Sequence, residues 1–435
     1  MRARFSKLLG FVPLILLLSC ATPVEQQFRS GVDIPTETKA VPADAITPEL
    51  TTDPLSNVDP AVPHLGTSSS NKEKSDRVNN LSSEDGTPTA WVHLVATVWE
   101  EEPRLPILNY HQFSPESARF STAVKTRLPD LQAHLQSLYN SGYSLVSLED
   151  WLKGDLRVPE GRRPLIITMD DLFYNNQLTM TEGGDPDPST GIGVLWEFSQ
   201  AHPDFGFQLA LFATLGDKLY ANPSFPTWED KLGEAIAWGF DHGAITYNHF
   251  YTHPHLDQIE PRHIVWNARK NDEYLRSLLE QVGRDDIIPS LGNVFALPYS
   301  EWPTEPMGIQ LLLAYENPEG LPLQAVMESD FISRAKFLPP PYAADFDPWH
   351  ILRIIADQSA IDYLVEHSGQ FPTTVHCEFE NLDPTRIEDR AFLAGEIRQA
   401  LKEGRCPEGV YYLGGKVFAA SSSGVHLIFP EEGGG

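Results

Sequence analysis

Two adjacent carboxylates, Asp170 and Asp171, close the apolar run LIITMDDLFYNN, and two imidazoles four positions apart, His249 and His253, sit in NHFYTHPHL. Neighbouring Asp side chains repel unless a cation or a proton offsets one of them. Two His at i and i+4 on one helical turn share a face and can reach one metal ion. Each signal is weak alone: an Asp pair is commonly a solvated turn or a helix N-cap, and His255 and His263 show that the second stretch is simply rich in His. Together they describe a metal centre. Asp171, His249 and His253 make a His-His-Asp ligand set that leaves a coordination position for water, and Asp170 beside them can serve as base on that water.

Such groups must be carried by elements that bring them to one place. Short apolar runs at 104–110, 143–147, 164–169, 207–214, 243–248 and 293–298 read as strands. Between them, Leu128, Leu131, Leu135 and Leu138 recur at helical spacing up to Gly142, and Ser147 with Asp150 marks a capping box before Trp151. A longer helix is predicted over 261–282, closed by Gly283. Alternating strands and helices imply a mostly parallel sheet, open or closed into a barrel, with ligands at the strand C-termini. Four strand exits carry polar groups: Tyr110-His111, Asp170-Asp171, Asn248-His249 and Pro298-Tyr299. On one parallel sheet these converge at one mouth.

In that arrangement the chain resembles the polysaccharide deacetylases, the family-four carbohydrate esterases, over roughly residues 104–355. LPILNYHQF resembles the family's first strand ending in Tyr-His, and ITMDD is similar to its Thr-Phe-Asp-Asp motif, in which the first Asp is the base and the second a metal ligand. NHFYTHPHL resembles its His-Thr-x-x-His-Pro motif, and FALPYS its Pro-Tyr loop lining the substrate groove. The resemblance implies a distorted (β/α) barrel with Asp170 as catalytic base, Asp171, His249 and His253 as ligands of a divalent metal, zinc being the expectation, and the backbone N–H of Tyr299 as oxyanion donor. It further implies Tyr110, Pro298 and Trp349 as substrate contacts, Trp349 lying in DFDPW where the family has an Asp and Trp motif. His376 and His111 are the candidates for the proton donor. Three positions depart from the pattern: Leu172 replaces the usual Gly, Phe250 the usual Thr or Ser, and Ala296 the Arg that orients the base. Asp170 must then be held otherwise, as in the extracellular amino-sugar polymer deacetylases, whose motif also lacks that Arg.

The N-terminus reads as an export signal. Residues 1–19 carry Arg2, Arg4 and Lys7 before an apolar run too short to span a bilayer comfortably, and Leu17-Leu18-Ser19-Cys20 resembles a lipobox in which Cys20 is lipidated. Residues 20–90, rich in Pro, Ser, Thr, Asn and Asp, are expected to form a flexible tether, 91–360 the catalytic domain, and 361–435 an α+β extension with a helix and a hairpin. Cys377 and Cys406 remain as an even pair, to be bridged in an oxidising compartment or left as two buried thiols. The balance of 60 Asp and Glu against 32 Lys and Arg, a net charge of −28, argues against nucleic acid or anionic lipid as partners of the folded body, leaving a lipid anchor as the only tie to a membrane.

The expectation is therefore an exported, lipid-anchored protein of the cell envelope, on its periplasmic or cell-surface side, that removes acetyl groups from a polysaccharide with a divalent metal. Its rival is a carbohydrate-binding lipoprotein that keeps the fold without turnover, to which Leu172, Phe250 and Ala296 would point.

Overall fold

The computed structural model describes residues 91–430 except 223, 225 and 334–336; the proposed signal, Cys20 and the tether lie outside the described residues. The described chain begins with β1 (Val92–Trp99) and β2 (Ile107–Tyr110), then a short parallel ribbon of β3 (Gln112–Ser114) and β4 (Lys125–Arg127). Next come α1 (Leu128–Asn140), β5 (Tyr143–Leu145), α2 (Leu148–Leu152), β6 (Arg163–Asp171), α3 (Gly191–Ala201), β7 (Leu209–Ala213), α4 (Trp228–His242) and β8 (Ala244–Asn248). Then follow α5 (Pro261–Gln281), β9 (Val294–Ala296), α6 (Pro306–Leu313), β10 (Ala325–Asp330), β11 (Ile351–Ile355) and α7 (Gln358–Glu366). The chain ends with β12 (Val375–Leu382), α8 (Arg390–Lys402), β13 (Gly409–Leu413), β14 (Lys416–Ser421) and β15 (Gly424–Phe429).

Eight strands form one parallel sheet in the order β2-β11-β10-β9-β8-β7-β6-β5, and a further β2–β6 pairing bends it into a ring. The ring is thin between β8 and β9, which share the single pair Asn248–Phe295. Inside it, Ile107, Ile166, Phe212, Tyr247, Val294, Met327 and Ile351 pack with Trp99 and Trp151. Outside it, the Leu131, Leu135 and Leu138 stripe of α1 joins residues of α3, α4 and α7 in a second core. At about 1.5–3 kcal/mol for each fully buried large apolar side chain, such stripes outweigh the local propensity of any one helix. Local signals act at the edges: the Ser147 side chain accepts from the Asp150 N–H as N-cap of α2, and α5 spans nearly the predicted length, starting at Pro261.

The expected division at 360/361 does not follow the layers. The second sheet, antiparallel in the order β12-β1-β13-β14-β15, contains the first described strand between two of the last. In the other direction α7 belongs to the ring, its Ala360, Ile361 and Leu364 being buried in the same core as α1. The C-terminal hairpin expected around SSSG is a three-stranded meander, because Gly414 and Gly415 both take positive φ and fold VYYLGGKVFAA into two strands. Helix α8 covers this sheet, and Cys377 and Cys406 are bridged beneath it with a Cα–Cα distance of 5.8 Å.

Candidate active site at the strand C-termini

Strand β6 delivers Asp170 and Asp171 at its last two positions, and His249 follows β8 directly. His249 and His253 are not on a helix, contrary to the expectation from their spacing. A turn carries them, with Phe250 at φ 62° and His253 at φ 45°, and their ring centroids lie 4.8 Å apart. Asp171 itself has φ 83° and Leu172 φ 67°. A glycine at position 172 would take that conformation without strain, whereas Leu172 is held there by burial at 3% exposure.

The ligand atoms converge. Asp171 Oδ1 is 3.7 Å from His249 Nε2 and 3.6 Å from His253 Nε2, and all three lie within 4.8 Å of one another. The His249 Nδ1–H donates to the Ala296 carbonyl at 2.8 Å, which leaves the Nε2 lone pair facing the cluster. Burial draws His249 down to about 3 and also lowers His253, so both rings are neutral. Asp171 is pushed up to about 7, first by burial and then by repulsion from Asp170 and Asp217. One acidic and two neutral imidazole donors, with a carboxylate whose charge wants a cation, fit a divalent metal. A larger, all-oxygen set would suit calcium or magnesium; this set with two nitrogens suits zinc or a similar transition metal.

Asp170 is held by a residue the sequence reading did not single out. Arg353, from the middle of β11 and fully buried, donates from Nη1 to Asp170 Oδ1 at 2.6 Å and from Nη2 to Oδ2 at 2.9 Å. Asn109 Nδ2 donates to the same Oδ2 at 3.0 Å, and its own position is fixed by Ser329 and Thr168. Burial alone would raise the Asp170 carboxyl, but the charged Arg353 guanidinium beside it holds it well below the usual carboxylate range. Arg353 thus makes a contact to Asp170 that Ala296 has no side chain to make. Two signals could have found it: a charge inside the apolar run ILRII, and a base with no partner assigned.

The remaining expected residues divide. His111 Nε2 lies 3.7 Å from Asp170 Oδ2, and its Nδ1 is buried with no partner among the described residues. Tyr299, at φ 55° and 55% exposed, borders the cluster, its ring meeting His253 edge-on at 4.6 Å. Pro298 is buried beneath it, and Trp349 packs half-buried against the core around Phe250 and Phe295. Tyr110 cannot line a groove: alternation along β2 sends Asn109 inward to Asp170 and Tyr110 outward against α1, where it is 1% exposed and bonds His134 Nδ1. His376 is likewise elsewhere, on β12, with its ring against the Val158 carbonyl.

Helix α5 braces the ligand turn. Asn248 Nδ2 donates to Asp272 and its Oδ1 accepts from the Phe250 N–H, while Asn267 accepts from Thr252 and Asn271 spans Leu215 and Ala213. Phe250 is fully buried against Phe295.

No protein-family model matches the chain, and no curated protein matches it. Solved structures similar to it include IcaB from Ammonifex degensii, at 16% identity and TM-score 0.41 over 62% of this chain and 98% of that one. Another is the Streptococcus pyogenes deacetylase PplD in complex with acetate, at 16% identity and TM-score 0.39 over 58% and 92%. A third is BC0361, a polysaccharide deacetylase from Bacillus cereus, at 12% identity and TM-score 0.41 over 61% and 69%. Identities and TM-scores this low establish no membership. The chain itself forms an α/β ring with an added C-terminal sheet, and a His-His-Asp cluster able to hold a divalent metal.

Proposed function

We propose that the protein is a metal-dependent deacetylase that removes acetyl groups from an acetylated polysaccharide of the cell envelope or its surroundings. The observation that carries the reading is Asp170: a carboxylate kept ionised in a buried position by Arg353 and Asn109, next to a complete ligand set at the strand C-termini. A sugar-binding protein without turnover has no use for a base placed beside a ligand carboxylate. The departures that favoured such a binder are absorbed by packing, since Phe250 and Leu172 fill core positions and the Ala296 carbonyl orients His249.

Asp171, His249 and His253 would hold the metal, which supplies polarisation of the acetyl carbonyl and activation of water. Asp170 takes the proton from the attacking water. His111, neutral because burial lowers it against the opposing charge of Asp170, stands where it can receive that proton and pass it to the departing amine or hydroxyl. The backbone N–H of Tyr299 donates to the developing oxyanion. Zinc is the metal we propose, and export with lipidation at Cys20 the localisation, the latter resting on the basic residues and apolar run that precede Ser19-Cys20. Acetate release from acetylated oligosaccharides by the zinc-loaded chain tests the activity. Absence of release from both N- and O-acetylated substrates, with metal bound at full occupancy, would remove the reading.

A further inference from the structure

Helix α5 buries three polar side chains, Asn267, Asn271 and Asp272, on its packed face. Groups of this kind cost stability in a core unless they are bonded. Asn267 and Asn271 bond the backbone of the ligand turn and of the β7 exit beside it, whereas Asp272 reaches the turn through one intermediate. Its Oδ1 accepts from Asn248 Nδ2 at 2.9 Å, and its Oδ2 accepts from the Tyr315 hydroxyl at 2.8 Å. Asn248 Nδ2 also donates to the Ala268 carbonyl at 2.8 Å. With both amide hydrogens committed to acceptors, the Asn248 side chain has one orientation. Its Oδ1 then faces the Phe250 N–H, which donates to it at 2.8 Å. That bond closes an Asx turn over His249 and holds Phe250 at φ 62°, a conformation a bulky residue does not keep unaided. The reversal matters to the metal ligands. An extended chain would set residues 249 and 253 about 13 Å apart, at the rise of a strand. Here both Nε2 atoms lie within 3.7 Å of Asp171 Oδ1.

We propose that Asp272 and Asn248 are positioning residues for the metal centre, acting through the Phe250 backbone and not on substrate. Asp272 fixes the Asn248 amide, the amide fixes the turn, and the turn sets the spacing of His249 and His253 around Asp171. Arg276, one helical turn on, donates to the Asp272 carbonyl at 2.9 Å and keeps Nη1 3.8 Å from its Oδ1, so the carboxylate is not stranded in the core. The inference rests on the reading that Asp171, His249 and His253 hold a metal, and it stands whether or not that metal turns over sugar.

The test is the zinc affinity of the full chain, stripped with chelator and titrated with zinc alone, measured beside its urea midpoint. Asp272→Asn keeps an acceptor for Asn248 and should bind zinc as the wild type does. Asp272→Leu has none and should bind at least about 10-fold more weakly, the scale on which a partner outside the ligand shell acts. Asn248→Ala frees the Phe250 N–H and should lose as much; it decides the matter if Asp272→Leu does not fold. Tyr315→Phe removes a bond to the same carboxylate without freeing Asn248, so its urea midpoint should fall while its zinc affinity stays. With cobalt in place of zinc, the visible absorption should change in Asp272→Leu and Asn248→Ala and hold in Tyr315→Phe. Wild-type zinc affinity in Asn248→Ala or in folded Asp272→Leu overturns the proposal, as does a loss in Tyr315→Phe equal to theirs, since affinity would then follow stability alone. A wild type that binds no zinc removes the metal reading itself and this inference with it.

Discussion

Replacing Arg353 by Met tests whether the base is held by an arginine borrowed from β11. The two side chains are almost wholly buried, so the discount that solvent imposes on surface pairs does not apply. Removing one partner of a buried pair costs about 3–5 kcal/mol, because the other charge is left in low dielectric. Asn109 still donates to Asp170, which places the expected loss near the lower end, about 3 kcal/mol. The double variant Asp170→Asn with Arg353→Met has no stranded charge and should lose only about 1 kcal/mol, since a buried pair exchanged for neutral groups is often nearly neutral. The assay is urea unfolding at fixed metal content, read as a shift in midpoint at constant slope. Acetate release should fall in the single variant although metal is bound, because the carboxylate is no longer aimed. A loss below about 1 kcal/mol in Arg353→Met, or a double variant whose loss equals the sum of the singles, would refute the reasoning.

Asp170→Asn should keep bound metal and lower acetate release by about 10²-fold or more; unchanged release would mean that another group is the base. His249→Ala should lose metal and acetate release together, measured by metal content and product formation on the same sample. Replacing Cys377 and Cys406 by Ser opens a bridge across a separation of 29 residues and should cost about 3–4 kcal/mol in the chain-entropy model, with metal content at the ring unchanged. Asp272 is held up to about 6, chiefly by burial, so the native state binds a proton that the unfolded state releases. The contribution of Asp272 to stability should therefore fall by about 3 kcal/mol as pH rises from about 4 through 6, read as the difference between the unfolding curves of the wild type and Asp272→Asn across that range.

Much of the ring was legible because its signals are local. The apolar runs read at 104–110, 164–169, 243–248 and 293–298 hold β2, β6, β8 and β9, with ends shifted by up to three residues, and the leucine stripe of α1 and the cap of α2 lie where their spacing put them. Strands β10 and β11 were not read, and with them Arg353 was missed, since AVMESD and ILRII are short and carry charges that look like loop. The charge of Arg353 makes sense only across the ring, where it reaches Asp170 on β6, as Ser329 reaches Asn109 on β2, while Glu328 meets Trp302 and His350 beside the strands. The alternation that hides Tyr110 and aims Asn109 was written in the sequence, but which parity faces inward depends on α1 packing outside. The exchange of β1 and α7 between layers depends on pairing between distant segments, to which no periodicity points.

Placement of β1 between β12 and β13 sets an order on how the molecule can be made. A polypeptide emerging from its N-terminus presents Val92–Trp99 before any other described strand, yet both neighbours of that strand are synthesised near the end. Until then the strand has two open edges and an apolar face of Ala96 and Val98, the kind of segment that pairs wrongly with other chains. Trp99, which closes the inside of the ring, is likewise without its final setting until the last strands arrive. Folding that relies on such distant pairing is slow, and the nascent chain gains from being kept unfolded until it is complete. Shortening the chain before β12 should accordingly yield an aggregating product instead of a free catalytic ring.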